Sequence, residues 1–322
     1  MPILKSNYEP LFLFKNRHLN TSYKTFFTNQ AISYKRERIY TDDNDFLDLD
    51  FSLMNSNSLV ILCHGLEGSS KSKYIISACT YLNSQNFDCL AVNFRGCSGT
   101  YNNNIYSYHS GKTDDLNTII KHVLDNYNYK NIVLLGYSMG GNIVLKYLGE
   151  YPQFSKLIKC GIAVSVPIDL ESSSNELAKK HNRLYLNRFM KTLRSKALYK
   201  IEKFPDNSIS KQAILTAKTF EDFDNALTAP LFGFKNAKDY WDKSSSLNYL
   251  PYLNIPCLIL NAKDDSFLAE KCFPIKTAEL NKNITLEMPR YGGHVGFNTS
   301  IFEKYNFWSE KRIHQYVKHI IY

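Results

Sequence analysis

A serine hydroxyl becomes a useful nucleophile only when a base takes its proton and an acid group holds that base in the correct tautomer. Three places in this chain supply those residue types. Ser138 sits in the run Gly136, Tyr137, Ser138, Met139, Gly140, preceded by the apolar stretch 132–135 and followed by the helical stretch 143–148. That order of strand, tight turn and helix predicts a hydroxyl exposed on a strained bend. Gly136 and Gly140 are expected there because side chains at those positions would collide with the neighbouring strand and helix. Asp264 and Asp265 follow the apolar run 257–260, and His294 lies in Tyr291, Gly292, Gly293, His294, Val295, Gly296, just past a run ending at Met288. Serine, aspartate and histidine thus appear in that chain order, each after its own predicted strand. Asp265 is preferred as the acid, with Asp264 capping the turn as the alternative. Among the other histidines, His18, His109, His122, His181, His314 and His319 fall in predicted helices or at termini, and His64 precedes the serine.

Addition of a serine oxygen to a carbonyl creates an oxyanion, which needs donors already in place. The backbone N–H after the nucleophile, Met139, is one expected donor, and Leu66, in the loop His64, Gly65, Leu66, Glu67, Gly68, is the other. His64 is expected to brace that loop. Residues 110–113, Ser-Gly-Lys-Thr, resemble the end of a phosphate loop, but the required first glycine falls on Tyr106. They read instead as a helix start, with Thr113 near the cap and Asp114 and Asp115 in the first turn. No metal-ligand spacing occurs, and no cofactor is expected.

Stretches rich in β-branched and apolar residues must position these groups. Residues 36–40 and 46–51 flank the turn Asp42, Asp43, Asn44 and predict a hairpin. Strands follow at 59–62, 89–93, 131–135, 161–165, 257–260 and 284–288, with helices at 74–83, 114–127, 141–149 and 308–321. The alternation predicts an α/β fold with a mostly parallel, eight-stranded sheet flanked by helices. Loops at the carboxyl ends of its strands should converge on one crevice. From 167 to 250 the rhythm breaks into a basic, aromatic, helical stretch, with Leu184, Tyr185, Phe189, Leu193 and Leu198 at helical intervals. The expected organisation is a core of residues 1–166 and 251–322, carrying a helical cap insertion at 167–250.

Composition narrows the partners. The net charge of +9 is spread along the chain with acidic residues interleaved, which argues against nucleic-acid binding. Seven cysteines without a CxxC pair read as reduced core residues. Neither a signal peptide nor a run of about 20 apolar residues is visible. A cytoplasmic protein is expected, with peripheral membrane contact left open. The aromatic residues Phe189, Tyr199, Phe204, Phe220, Phe223, Phe232 and Trp241 suggest an apolar acyl pocket, whereas Lys179, Lys180, Arg183, Arg188, Lys191 and Arg194 read as solvent-facing.

The chain resembles the YheT-type branch of the α/β-hydrolase superfamily, which includes the fungal medium-chain ethyl ester synthases. The likeness rests on residues 36–51 (RERIYTDDNDFLDLDF), 64–70 (HGLEGSS), 93–99 (NFRGCSG), 108–115 (YHSGKTDD), 136–142 (GYSMGGN), 228–234 (TAPLFGF), 261–267 (NAKDDSF) and 292–297 (GGHVGF). It implies the α/β-hydrolase fold, a Ser, Asp, His triad whose acid is the second aspartate, Asp265, and carboxylic ester hydrolysis or acyl transfer. Ser266 stands where the family usually has proline, and Arg17, His18, Leu19, Asn20, Thr21 matches the amino-terminal motif only loosely. The leading expectation is a serine esterase acting on short- to medium-chain acyl or lipid esters. An acyltransferase passing the acyl group to an alcohol is the second, and a ligand-binding protein without turnover the third.

Overall fold

The computed structural model describes residues 2–27, 31–151, 153, 156–302 and 307–322. Among them nine strands form one sheet: β1 Ile3–Leu4, β2 Lys35–Tyr40, β3 Phe46–Ser52, β4 Ser58–Cys63, β5 Asp88–Asn93, β6 Asn131–Tyr137, β7 Ile158–Val164, β8 Cys257–Leu260 and β9 Ile284–Glu287. Their order across the sheet is β1-β9-β8-β7-β6-β4-β5-β3-β2. The hairpin β2–β3 and the β3–β5 pair are antiparallel, and every other neighbour is parallel. The expected count of eight is corrected to nine. The added strand, β1, pairs Ile3 with Leu286 and Leu4 with Glu287 and is too short to leave a periodic signal.

Parallel strands buried on both faces read as unbroken apolar runs, and β4 (SLVILC) is buried at every position. Its alternate residues feed two cores. Leu59, Ile61 and Cys63 pack with Leu116, Ile120 and Ile143, and Val60 and Leu62 pack on the other face with Ile75, Leu82 and Val317. The helices covering these faces are drawn from α1 Arg17–Phe27, α2 Lys73–Ser84, α3 Thr113–Asn126, α4 Met139–Glu150, α5 Leu170–Leu177, α6 Arg183–Lys203, α7 Lys211–Thr216, α8 Phe220–Phe223, α9 Ala229–Phe232, α10 Ala237–Ser244, α11 Ile275–Leu280 and α12 Trp308–Ile321. Helix α1 has no counterpart in the sequence expectations. Its apolar residues are interrupted by Asn20 and Lys24, both buried through polar partners.

Between β7 and β8 the regular elements are all helices, α5 to α10, with an apolar cluster of their own made by Leu186, Met190, Ile201, Ile214, Phe223 and Leu227. The buried stripe of α6 is Leu186, Met190, Ala197 and Ile201, not the one expected through Leu184, which is 84% exposed. All seven cysteines are free and buried. No helix among the described residues is long and apolar enough to cross a membrane.

Candidate active site

Six consecutive parallel strands, β4 to β9 in chain order, end on one edge of the sheet, so the loops after them share one crevice. Strand β6 runs directly into Ser138, whose backbone sits at φ 53° and ψ −123°, and α4 begins one residue later. A side-chain-bearing residue at positive φ stores strain that its surroundings must hold. Here the Ser138 N–H donates to the Val164 carbonyl at 2.9 Å, and the Ser138 carbonyl accepts from the N–H groups of Gly141 and Asn142. A Cβ on Gly136 would sit 2.3 Å from the Gly140 carbonyl oxygen, and one on Gly140 would sit 2.3 Å from that of Cys63. Both glycines are therefore sterically required.

The loop after β9 carries His294 back over the sheet edge. Gly293 at φ 57° and Val295 at φ 61° reverse its direction. Each successive N–H finds a separate anchor: Gly293 donates to Asp264 Oδ1 at 3.0 Å, His294 to Thr21 Oγ1 at 2.8 Å, and Val295 to Ser165 Oγ at 2.9 Å. The imidazole lies between the other two expected groups. Nδ1 is 2.9 Å from Asp265 Oδ2 and 3.1 Å from Oδ1, and Nε2 is 2.9 Å from Ser138 Oγ. Hydrogen-bond partners assign the Nδ1–H tautomer, which leaves the Nε2 lone pair facing the serine hydroxyl. The Phe267 ring stacks on the imidazole with centroids 4.1 Å apart.

The two adjacent aspartates have different surroundings. Asp265 is buried, faces His294, and accepts the Phe267 N–H at 2.9 Å. Asp264 points the other way, and burial pushes its carboxyl up to about 6 while it holds the Gly293 N–H.

Leu66 and Met139 line the same pocket as Ser138, and a Cβ on Gly65 would come within 3.0 Å of the Ser138 Cβ. His64 lies beneath this loop, with Nδ1 2.7 Å from the Gly65 carbonyl and Nε2 accepting the Phe94 N–H at 3.3 Å. Burial holds its imidazole down at about 4, so it is neutral and structural, in line with the bracing role expected of it. His109 corrects an expectation: it lies in the loop before α3, not in a helix, and lines the pocket against Phe232 and Tyr240.

Phe189, Phe220, Phe223, Phe232 and Trp241 bring aromatic surface to the pocket opposite Ser138. Tyr199 stacks instead on Tyr101 at 3.7 Å. Asp224, in a single π-type turn, Asp224–Thr228, accepts from Trp241 Nε1 and the Thr228 hydroxyl. The sequence reading missed Thr21 and Asn20, which tie α1 to the histidine loop; Asn20 Oδ1 accepts the Asn298 N–H at 3.0 Å. Their only signal was the loosely matched run Arg17 to Thr21, since nothing local marks a threonine as anchor for a loop 273 positions away.

The model of a family described as the alpha/beta hydrolase fold matches residues 58–298. The chain is similar to human phospholipase ABHD3, with 28% identity over 99% of this chain and 80% of that protein. It is also 28% identical to Escherichia coli YheT, which bears an esterase name, over 94% of this chain and 91% of the relative. Among solved structures, the Pyrococcus furiosus esterase Pf2001 superposes with a TM-score of 0.60 at 20% identity, covering 90% of this chain and 92% of that one. The chain therefore belongs to the alpha/beta hydrolase fold family, where it stands with the YheT-type ester hydrolases.

Proposed function

We propose that this protein cleaves carboxylic esters through an acyl-enzyme on Ser138, with His294 as base, Asp265 as the acid that orients it, and the Leu66 and Met139 N–H groups as oxyanion donors. One observation carries the reading: a continuous hydrogen-bonded line from Asp265 through His294 to Ser138 Oγ, opening on an apolar pocket. Ser138 Oγ adds to the acyl carbon as its proton passes to His294 Nε2. The charge that develops on the carbonyl oxygen is met by the two N–H groups. Collapse breaks the bond to the alkoxy oxygen, which leaves with the proton from Nε2. Water repeats the sequence: its proton goes to Nε2, its oxygen to the acyl carbon, and Ser138 departs with the proton.

The helical segment 167–250 acts as a cap, and its aromatic side chains take the acyl group. Relatives named as a phospholipase and a monoacylglycerol lipase support lipid esters as the substrate class. A series of p-nitrophenyl esters of increasing chain length, run beside a serine-directed fluorophosphonate probe, tests the proposal. Hydrolysis and labelling that both vanish in Ser138→Ala are expected; activity that persists in the variant would overturn it. Ethanol added to the same assay measures how much acyl group passes to alcohol instead of water.

A further inference from the structure

The loop that presents the Leu66 N–H is fastened at the next residue by an unusual closed pair of bonds. Glu67 sits at φ 57°, a conformation a glutamate does not hold unaided. Its N–H donates to the Tyr108 hydroxyl oxygen at 2.9 Å, and that hydroxyl donates to Glu67 Oε1 at 2.7 Å. Tyr108 therefore locks backbone and side chain of Glu67 together. The same Oε1 accepts from Lys196 Nζ at 3.0 Å, and Lys196 belongs to α6, in the helical segment over the strand ends. Neighbouring residues of α6 fasten it to the adjoining loop: Tyr199 stacks on Tyr101, and Lys200 Nζ donates to the carbonyls of Asn102 and Asn104.

The Glu67 side chain is 8% exposed and that of Lys196 is 32% exposed. A carboxylate that far from water needs a countercharge, and besides the hydroxyl of Tyr108 the group facing it is Lys196, whose Nζ also lies 3.5 Å from Cys97 Sγ. With Lys196 removed, the carboxylate loses the countercharge that holds it inward and turns toward solvent. That movement weakens the Tyr108 bond that holds Glu67 in its left-handed conformation, one residue from the Leu66 N–H. Donors aimed at a developing charge act through their placement, so loosening this turn lowers transition-state stabilisation more than substrate binding.

We infer that Lys196 is a positioning residue for the oxyanion loop, acting through Glu67 and Tyr108, so that the donor set is complete only when α6 is docked. The inference rests on the proposed role of Leu66. It makes the helical segment a part of the catalytic geometry as well as a wall of the pocket.

Lys196→Met keeps the length and apolar stem of the side chain and removes the charge. For a p-nitrophenyl ester the expected result is a fall in kcat of roughly 10- to 100-fold, smaller than full loss of an oxyanion donor, with KM within about twofold. Affinity for an alkyl trifluoromethyl ketone, which forms a tetrahedral oxyanion on the serine, should fall in parallel. Lys196→Arg should restore both, and Lys196→Met with Glu67→Gln should lose no more than the worse single variant, as expected of groups acting as one unit. Lys191→Met, on the exposed side of the same helix, is the control for the helix itself. The inference is overturned by unchanged kcat in Lys196→Met, by a change confined to KM, or by equal losses in the Lys191 control. Ser138-dependence of the wild-type rate, measured in the same assay, separates failure of this inference from failure of the esterase reading.

Discussion

Ser138 Oγ lies 2.9 Å from His294 Nε2, and both Asp265 oxygens lie within 3.1 Å of Nδ1, so each side chain has one partner on the side its chemistry needs. Replacing Ser138 by alanine should lower kcat on the order of 10⁶-fold and abolish fluorophosphonate labelling, with the thermal midpoint nearly unchanged. The paired aspartates give a sharper comparison. Asp265→Asn should cost about 10⁴-fold in kcat, because an amide can donate to Nδ1 and favour the wrong tautomer. Asp264→Asn retains an oxygen for the Gly293 N–H and should keep activity within about tenfold of wild type. Rates of the two variants with one p-nitrophenyl ester decide the assignment, and a larger loss at Asp264 would reverse it.

Two short elements hold strained or desolvated groups in place. The bend between β6 and α4 has no room for a Cβ at Gly136, where the nearest atom is a backbone oxygen at 2.3 Å and cannot move aside. Gly136→Ala should therefore destabilise the fold by about 3 kcal/mol or more, read as a lowered denaturant midpoint, with loss of activity following the loss of fold. The π-type turn Asp224–Thr228 buries a carboxyl whose desolvation pushes it up to about 6 from 3.8. A carboxyl raised in the folded state favours its neutral form, so its contribution to stability is present below pH 4 and is lost as pH rises through about 6. Asn at 224 is neutral at every pH, and its amide can still serve Trp241 Nε1 and the Thr228 hydroxyl. Asp224→Asn should stabilise the protein by up to about 3 kcal/mol at pH 8 and by little at pH 4, as read from melting curves at the two pH values. Equal shifts at both would show that its charge is not the cause.

At the scale of the molecule, one sheet edge gathers the polar groups and side chains of one helical segment line the pocket they share. The pocket between them has a polar floor at Ser138 and an aromatic roof, a division suited to an acyl chain entering beside the nucleophile. Leu227 lines that roof and is buried. Leu227→Trp should shorten the space, lowering kcat/KM for long-chain p-nitrophenyl esters by about tenfold or more relative to the acetate. Chain-length profiles of the two proteins make the comparison, and an unchanged profile would mean that the acyl group does not lie against Leu227. The basic residues of the segment divide between surface and pocket: Lys179, Lys180, Arg183, Arg188 and Lys191 are exposed, with Lys179 paired to Glu176 at 2.5 Å, whereas Lys196 and Lys200 line the pocket.

What was legible in the sequence is what short-range physics decides. The elbow at Ser138 is announced by five contiguous residues, because strand, bend and helix are each local and the two glycines are demanded by contacts within that turn or with the adjacent strand. The apolar runs likewise mark the seven strands β3 to β9, since a strand covered on both faces needs no partner to reveal itself, and the mostly exposed β2 is marked by the turn it shares with β3. Tertiary structure alone decided which of Asp264 and Asp265 turns toward the imidazole, which stripe of α6 is buried, and that Thr21 anchors the backbone of His294. Each depends on a surface supplied by a distant segment, and neighbouring residues do not encode that surface. The contact from Glu67 to Lys196 is of the same kind: 129 positions separate them, and only folding puts the charge of one beside that of the other.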